Sequence, residues 1–114
     1  MYNQMVVELV SETEIDHIFQ ALADATRRDI VRRVLQGEQT VTALARGYAM
    51  SFAAVQKHVA VLERASLVEK ERRGREQLVH GNPEGLRRAQ LILDRFEELW
   101  RHRVSGIAGI LTEQ

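Results

Sequence analysis

The residue types that could do chemistry in this chain are few. Four histidines (His17, His58, His80 and His102) are present among 114 residues, and there is no cysteine. Disulfides, thiolate metal sites, thiol redox sensing and cysteine nucleophiles are therefore excluded. Glu98 and His102 stand one helical turn apart, a spacing that can place two ligands on one helix face. Arg95 shares that face, which lies opposite an apolar arc, so the two read as a solvated pair. His58 falls inside an apolar arc and reads as a core imidazole with a hydrogen bond, while His17 and His80 have no ligand companion nearby in sequence. No metal and no cofactor are expected. Nor do a nucleophile, a base and an orienting group fall into a recognisable constellation, so no enzyme is expected.

What remains is the chemistry of surfaces. In Ser51–Ala65, SFAAVQKHVAVLERA, a rotation of about 100° per residue collects Ala54, Val55, His58, Val59, Val61, Leu62 and Ala65 on one arc, a core face. The opposite arc holds Phe52, Ala53, Gln56, Lys57, Ala60, Glu63 and Arg64. Its N-terminal half is small, amide-bearing and singly charged, which suits a surface approached closely. With Ser51 as a cap, this is what the reading helix of a helix-turn-helix requires. Phe52 sits on the boundary between the arcs and could equally be an edge of the core.

Arginines form two further clusters: Arg72, Arg73 and Arg75 around Gly74, and Arg27, Arg28, Arg32 and Arg33 upstream. Sixteen basic and sixteen acidic residues give zero net charge, which by itself argues against a polyanionic partner. The distribution argues otherwise, because acids gather at Glu8–Asp16 and at Glu97 and Glu98, and local patches decide nucleic-acid binding.

The elements that must position these groups follow from periodicity and caps. Residues 1–10 carry no decisive pattern. Ser11 with Glu14 fits a capping box before an Ile15, Ile18, Phe19, Leu22 stripe. Asp24 can cap a second helix with Ile30, Val31, Val34 and Leu35 inward, the arginines outward and Gly37 as the stop. Thr40 can cap a third, with Val41, Leu44, Ala45 and Tyr48 inward, and residues 47–50 then turn into the Ser51 helix. After Ala65 the period changes to two polar-apolar runs around Gly74, a β-hairpin of uncertain turn type with arginines at its tip.

Asn82 and Pro83 open a last helix. Its apolar residues from Leu86 to Leu111, including Phe96, Leu99, Trp100 and Ile107, span an arc of roughly 180°, where a helix on a small domain buries about 100°. The surplus predicts a second copy across a two-fold interface, formed by residues 1–23 and 83–111, with Ile15, Phe19, Phe96, Leu99, Trp100 and Ile107 in it. The length fits one domain, residues 1–114, and 45% apolar residues suffice for one core. With no internal repeat, leader pattern or long apolar run, the chain is expected in the cytoplasm. The expected fold is mainly α: five or so helices and a two-stranded wing.

The motifs Phe19–Val31, FQALADATRRDIV, then Val41–Ala45, VTALA, Met50–Ala65, MSFAAVQKHVAVLERA, and Leu67-Val68 resemble the ArsR family of bacterial winged helix-turn-helix repressors over about residues 15 to 105. The segment Leu93–Val104, LDRFEELWRHRV, looks like its cysteine-free branch, often encoded beside START-like hydrophobic-ligand proteins. The resemblance implies a homodimeric transcriptional repressor on an inverted-repeat operator, with Ser51, Phe52, Ala53, Gln56 and Lys57 facing the major groove. Gln56 would then bond an adenine edge, Phe52 or Ala53 a thymine methyl, and Lys57 a phosphate. Arg72, Arg73 and Arg75 resemble the family's wing tip, which enters the minor groove or grips phosphate, although a solvated tip is the bland alternative. Arg27 and Arg28 could touch phosphate, or face solvent, or pair with Asp24 and Asp29.

Three departures stand out: Phe52 where relatives carry a polar or basic residue, Ala53 where they carry proline, and Ser66 in place of glycine. A small organic inducer between the terminal helices is compatible with the resemblance. The competing reading is a winged helix used for protein interaction without specific DNA binding.

Overall fold

The computed structural model describes residues 11–113, with side chains described through Arg103. The first helix, α1, spans Glu12–Leu22. The Ser11 hydroxyl accepts the Glu14 N–H at 3.1 Å, and Glu12 and Glu14 lie at the positive end of the helix dipole. Ile18 and Ala21 are buried, while Phe19, expected on the inward stripe, is exposed. One helical step beyond Ile18 carries its ring past the rim of the core.

Helix α2 spans Ala25–Gln36, capped by the Asp24 carboxylate, which accepts the Arg27 N–H at 3.0 Å. Ile30, Val31 and Val34 are buried, but Leu35, expected inward, is 58% exposed and leans on the backbone at Gly81. Gly37 ends the helix as expected, though in extended backbone (φ 162°) rather than a left-handed cap. That conformation leads directly into β1, Gln39–Thr40, a two-residue strand the periodicity did not reveal. Thr40 then caps α3, Val41–Arg46, by accepting the Ala43 N–H at 2.9 Å.

Residues 47–50 turn into α4, Phe52–Arg64. Val55, Val59 and Leu62 pack with Ile30, Leu44, Leu67 and Val79 at the centre of the core, each fully buried aliphatic side chain contributing about 1.5–3 kcal/mol. The exit from α4 is a Schellman motif: Ser66 N–H bonds Glu63 O at 2.9 Å and Leu67 N–H bonds Leu62 O at 3.0 Å. The motif needs a left-handed residue, and Ser66 supplies it at φ 60° where glycine would carry no Cβ strain.

Strands β2, Val68–Arg73, and β3, Glu76–Gly81, form the hairpin. Arg73 pairs with Glu76 across a two-residue turn, with Gly74 at φ 64° and Arg75 at an ordinary φ, the pattern of a type II′ turn. The β1 strand adds antiparallel to β3, so the expected two-stranded wing is a three-stranded sheet in the order β1-β3-β2. Helix α5, Pro83–Glu113, begins with Asn82 accepting the Glu84 N–H at 3.2 Å. Gly85 is required there, since a Cβ would collide with the Ser66 carbonyl. Ala89 and Ile92 are buried, and from Leu93 to Arg103 the side chains are exposed apart from half-buried Asp94. No described helix is long and apolar enough to cross a membrane.

Candidate nucleic-acid interface

The outer face of α4 is as the spacing implied. Ser51, Phe52, Ala53, Gln56 and Lys57 are all exposed, and Phe52, at 46% exposure, is not a core residue. Ser51 Oγ accepts the Ala54 N–H at 3.1 Å, which leaves its hydroxyl able to donate. The first turn of α4 contains no acid, so the positive end of the helix dipole is uncompensated, a favourable environment for phosphate. The apolar Phe52 and Ala53 flank the amide of Gln56 one turn on, which offers methyl contact and bidentate hydrogen bonding on a single small patch.

His58, by contrast, is half-buried behind this face. Its Nδ1 lies 3.3 Å from an Arg27 guanidinium nitrogen and 3.9 Å from the Asp24 carboxylate. Among the described residues no group of three or more His, Asp or Glu side chains is placed to hold a metal ion.

The wing is tied to α4 by the Lys70–Glu63 ion pair at 3.4 Å and by buried Val68. Its three arginines differ in circumstance. Arg73 pairs with Glu71 at 3.0 Å and with Glu38 at 3.3 Å, so its charge is offset by two carboxylates. Arg72 reaches only the Gly74 carbonyl at 3.4 Å, and Arg75 has no ion pair among the described residues. Among the described residues, Arg72 and Arg75 therefore carry the charge of the hairpin tip that no carboxylate offsets.

The α2 arginines do something the sequence reading did not anticipate, namely close helix C-termini. Arg27 donates to Ala21 O and Gln20 O, each at 2.8 Å, and Arg28 donates to Leu22 O at 2.8 Å. These are carbonyls of the last turn of α1, where the helical ladder runs out and cations are favoured; Gln20 O also accepts the Ala23 N–H at 3.2 Å. Arg33 does the same for α3, donating to Leu44 O at 3.3 Å and Ala43 O at 3.4 Å. It also lies 5.2 Å from the centre of the Tyr48 ring and bonds Gln39 at 3.0 Å. The expectation that the α2 arginines face outward therefore fails for Arg27 and Arg33, because neighbouring helix ends offer carbonyls with acceptor capacity within reach. For Arg27 and Arg28 the available signal was their position five and six residues beyond the end of α1; for Arg33, which reaches the later helix α3, the sequence carried no such signal.

Beside Arg33, the Tyr48 hydroxyl donates to Asp29 at 2.6 Å. That bond, aided by Arg32 and Arg33, holds the Asp29 carboxyl below its ordinary 3.8. Burial and the same bond push the Tyr48 phenol above 10.0. Asp24 is likewise lowered, chiefly by the Arg27 backbone N–H it accepts.

A second exposed feature lies on α1 and α5. Phe19 and Phe96 have ring centroids 6.1 Å apart at 49°, and Leu93, Phe96, Leu99 and Trp100 remain exposed, Trp100 at 65%. Ile15 is half-buried beside them in sequence order. Residues 1–10 and the side chain of Ile107 lie outside the described part of the chain.

This geometry has known counterparts. A helix-turn-helix domain family matches residues 22–71. The HTH-type transcriptional regulator Rv2034 of Mycobacterium tuberculosis is 37% identical over 99 residues, which cover 87% of this chain and 90% of that protein. The crystal structure of an ArsR family transcriptional regulator, RHA00566, superposes with a TM-score of 0.73 at 31% identity over 80% of this chain and 94% of its own. An ArsR-like regulator from Rhodococcus sp. RHA1 gives 0.76 at 28% identity, over 90% and 94%. A homodimeric winged helix-turn-helix DNA-binding domain from Mycobacterium bovis gives 0.62 at 26% identity, over 75% and 81%. With a three-helix core, a helix-turn-helix and an arginine-tipped wing in that order, the chain belongs to the ArsR family of DNA-binding winged helix-turn-helix transcriptional regulators.

Proposed function

We propose that this regulator is a homodimeric repressor of an inverted-repeat operator, and that it is not an enzyme. The observation that carries the reading is the division of exposed surface. The start of α4 presents amide, methyl and ring edges without acids, whereas the large exposed apolar side chains cluster at Phe19 on α1 and at Leu93, Phe96, Leu99 and Trp100 on α5. Contiguous exposed apolar surface of this kind marks an interface, and the M. bovis relative is a homodimer. Ile15, Phe19, Phe96, Leu99, Trp100 and Ile107 would meet their copies across a two-fold axis, the terminal segments 1–23 and 83–111 forming the interface of one domain, residues 1–114.

A dimer sets two α4 helices about 34 Å apart on one face of DNA, so the half-sites lie roughly one helical turn apart. Ser51, Phe52, Ala53, Gln56 and Lys57 read the major groove, Arg75 and Arg72 enter the adjacent minor groove or grip phosphate, and Arg73 joins them by exchanging its carboxylates for phosphate. Such a protein works in the cytoplasm by excluding polymerase, with either no inducer or a small organic one bound between the terminal helices. The test is a gel shift with DNA upstream of its own gene, alongside sedimentation. A folded dimer that shifts this DNA at low salt is expected; a folded dimer that does not would end the repressor reading.

A further inference from the structure

A cleft of about 200 Å³ opens where α1, the end of α4 and the first turns of α5 meet, lined by Glu14, His17, Ile18, Arg64, Ala65, Ser66 and Arg88. We propose that it is a binding site for a small organic carboxylate, with Arg64 and Arg88 gripping the carboxylate and Ile18 and Ala65 forming an apolar floor.

Several independent observations converge there. The cleft carries two guanidinium groups against one carboxylate. Guanidinium is the group whose fork matches a carboxylate. Arg88 is held by Glu14 at 3.2 Å, whereas Arg64 has no ion pair among the described residues. One position is thus open, and the other is occupied by an exposed carboxylate that an incoming one can displace at little cost. Ile18 and Ala65, 3% and 5% exposed, close the floor with apolar atoms, while most of the exposed lining is polar. The volume falls below the roughly 300–1,000 Å³ of sites for drug-sized molecules, which selects a small acid with a short apolar body.

The site also joins the two functional regions. Arg64 is the last residue of α4 and Arg88 belongs to α5, so a ligand bridging them fixes the reading helix against the terminal helix. This coupling rests on the repressor proposal; the site does not. If bridging moves α4 out of register with the groove, the acid and the operator weaken one another by the same factor, as linkage requires.

The experiment titrates the full chain with acetate, hexanoate and benzoate, using benzamide and inorganic phosphate as controls, followed by calorimetry and by backbone amide shifts of Ile18, Ala65 and Ser66. Saturable binding that strengthens from acetate to benzoate, with benzamide silent, is expected. Arg64→Gln and Arg88→Gln should each weaken it about tenfold. Glu14→Gln should strengthen it several-fold, a gain that misfolding cannot produce. Equal response to benzamide, equal response to phosphate, or no binding by any acid at millimolar concentration overturns the site. Benzoate binding by a protein that binds no operator would keep the site and remove the repressor reading; benzoate binding that leaves operator affinity unchanged would remove the coupling.

Discussion

Two arginine clusters in this protein have similar composition and opposite fates. Arg27, Arg28 and Arg33 on α2 donate to carbonyls of α1 and α3, and two of the three are withdrawn from solvent. Arg72, Arg73 and Arg75 on the wing are exposed, and they bond only each other's turn or surface carboxylates. The difference lies in what each cluster can reach. A helix C-terminus leaves carbonyls with acceptor capacity; Arg27 and Arg28, starting the next helix, meet those of α1 at once, and Arg33 meets those of α3 because the fold brings that helix end beside it. At the hairpin tip the carboxylates of Glu71 and Glu38 engage Arg73 and leave Arg72 and Arg75 without an ion pair among the described residues. A run of arginines therefore becomes a polyanion surface only where the local backbone is already satisfied.

The comparison can be broken by moving stability and DNA affinity independently. The largest effect is expected from Arg27→Met, which strips the Gln20 and Ala21 carbonyls of a charged donor. Hydrogen bonds to charged groups contribute about 1.5–3 kcal/mol, so urea unfolding should show a loss of about 2–3 kcal/mol with an unchanged salt slope of DNA binding. Gln56→Ala comes next, costing about 1–3 kcal/mol of discrimination at one base position per half-site with little change in unfolding. Arg75→Ala should leave stability within about 0.5 kcal/mol, weaken all sequences alike and lower the salt slope by about 1. If its slope is unchanged while its midpoint falls, the two clusters are not different in kind. Arg73→Ala should do least: its partners are exposed, exposed pairs contribute about 0–1 kcal/mol, and removing a charge already offset should weaken DNA less than Arg75→Ala.

A pH series sharpens the α2 side. Because the folded Asp29 carboxyl titrates below 3.8, the stability it contributes is present above that value and is lost as pH falls through the folded one. Tyr48, raised above 10.0, contributes below that value and loses its contribution as pH rises through the folded one. Tyr48→Phe removes the bond that is the chief cause of the Asp29 shift and, after burial, the second cause of the Tyr48 shift, so the wild type and the variant should differ at neutral pH and converge toward both extremes. A constant offset across the whole range would show that the Tyr48–Asp29 bond is not the cause.

Much of the molecule was legible from local pattern. Ser11, Asp24, Thr40 and Ser51 each cap the helix assigned to them, because a cap depends on a side chain and an N–H only a few residues apart. The two arcs of α4 came out as buried and exposed for the same reason: helical period is a local property, and half-buried His58 falls on the inner side. What misled was the rim of the core. Phe19 and Leu35 satisfy the period and yet are exposed, since the width of a buried stripe depends on the curvature of whatever packs against it.

Sequence alone thus determined the order of elements, the capped reading helix with its acid-free first turn, the arginine-bearing hairpin and the family. Each rests on contacts or patterns spanning a few residues. Only the tertiary structure decided which arginines are free, that Thr40 joins a third strand, that Gly85 must lie bare against Ser66, and that Arg64 and Arg88 share a cleft. Those outcomes depend on groups 10 to 40 residues apart in the chain, whose meeting is fixed by how the elements pack rather than by any one segment.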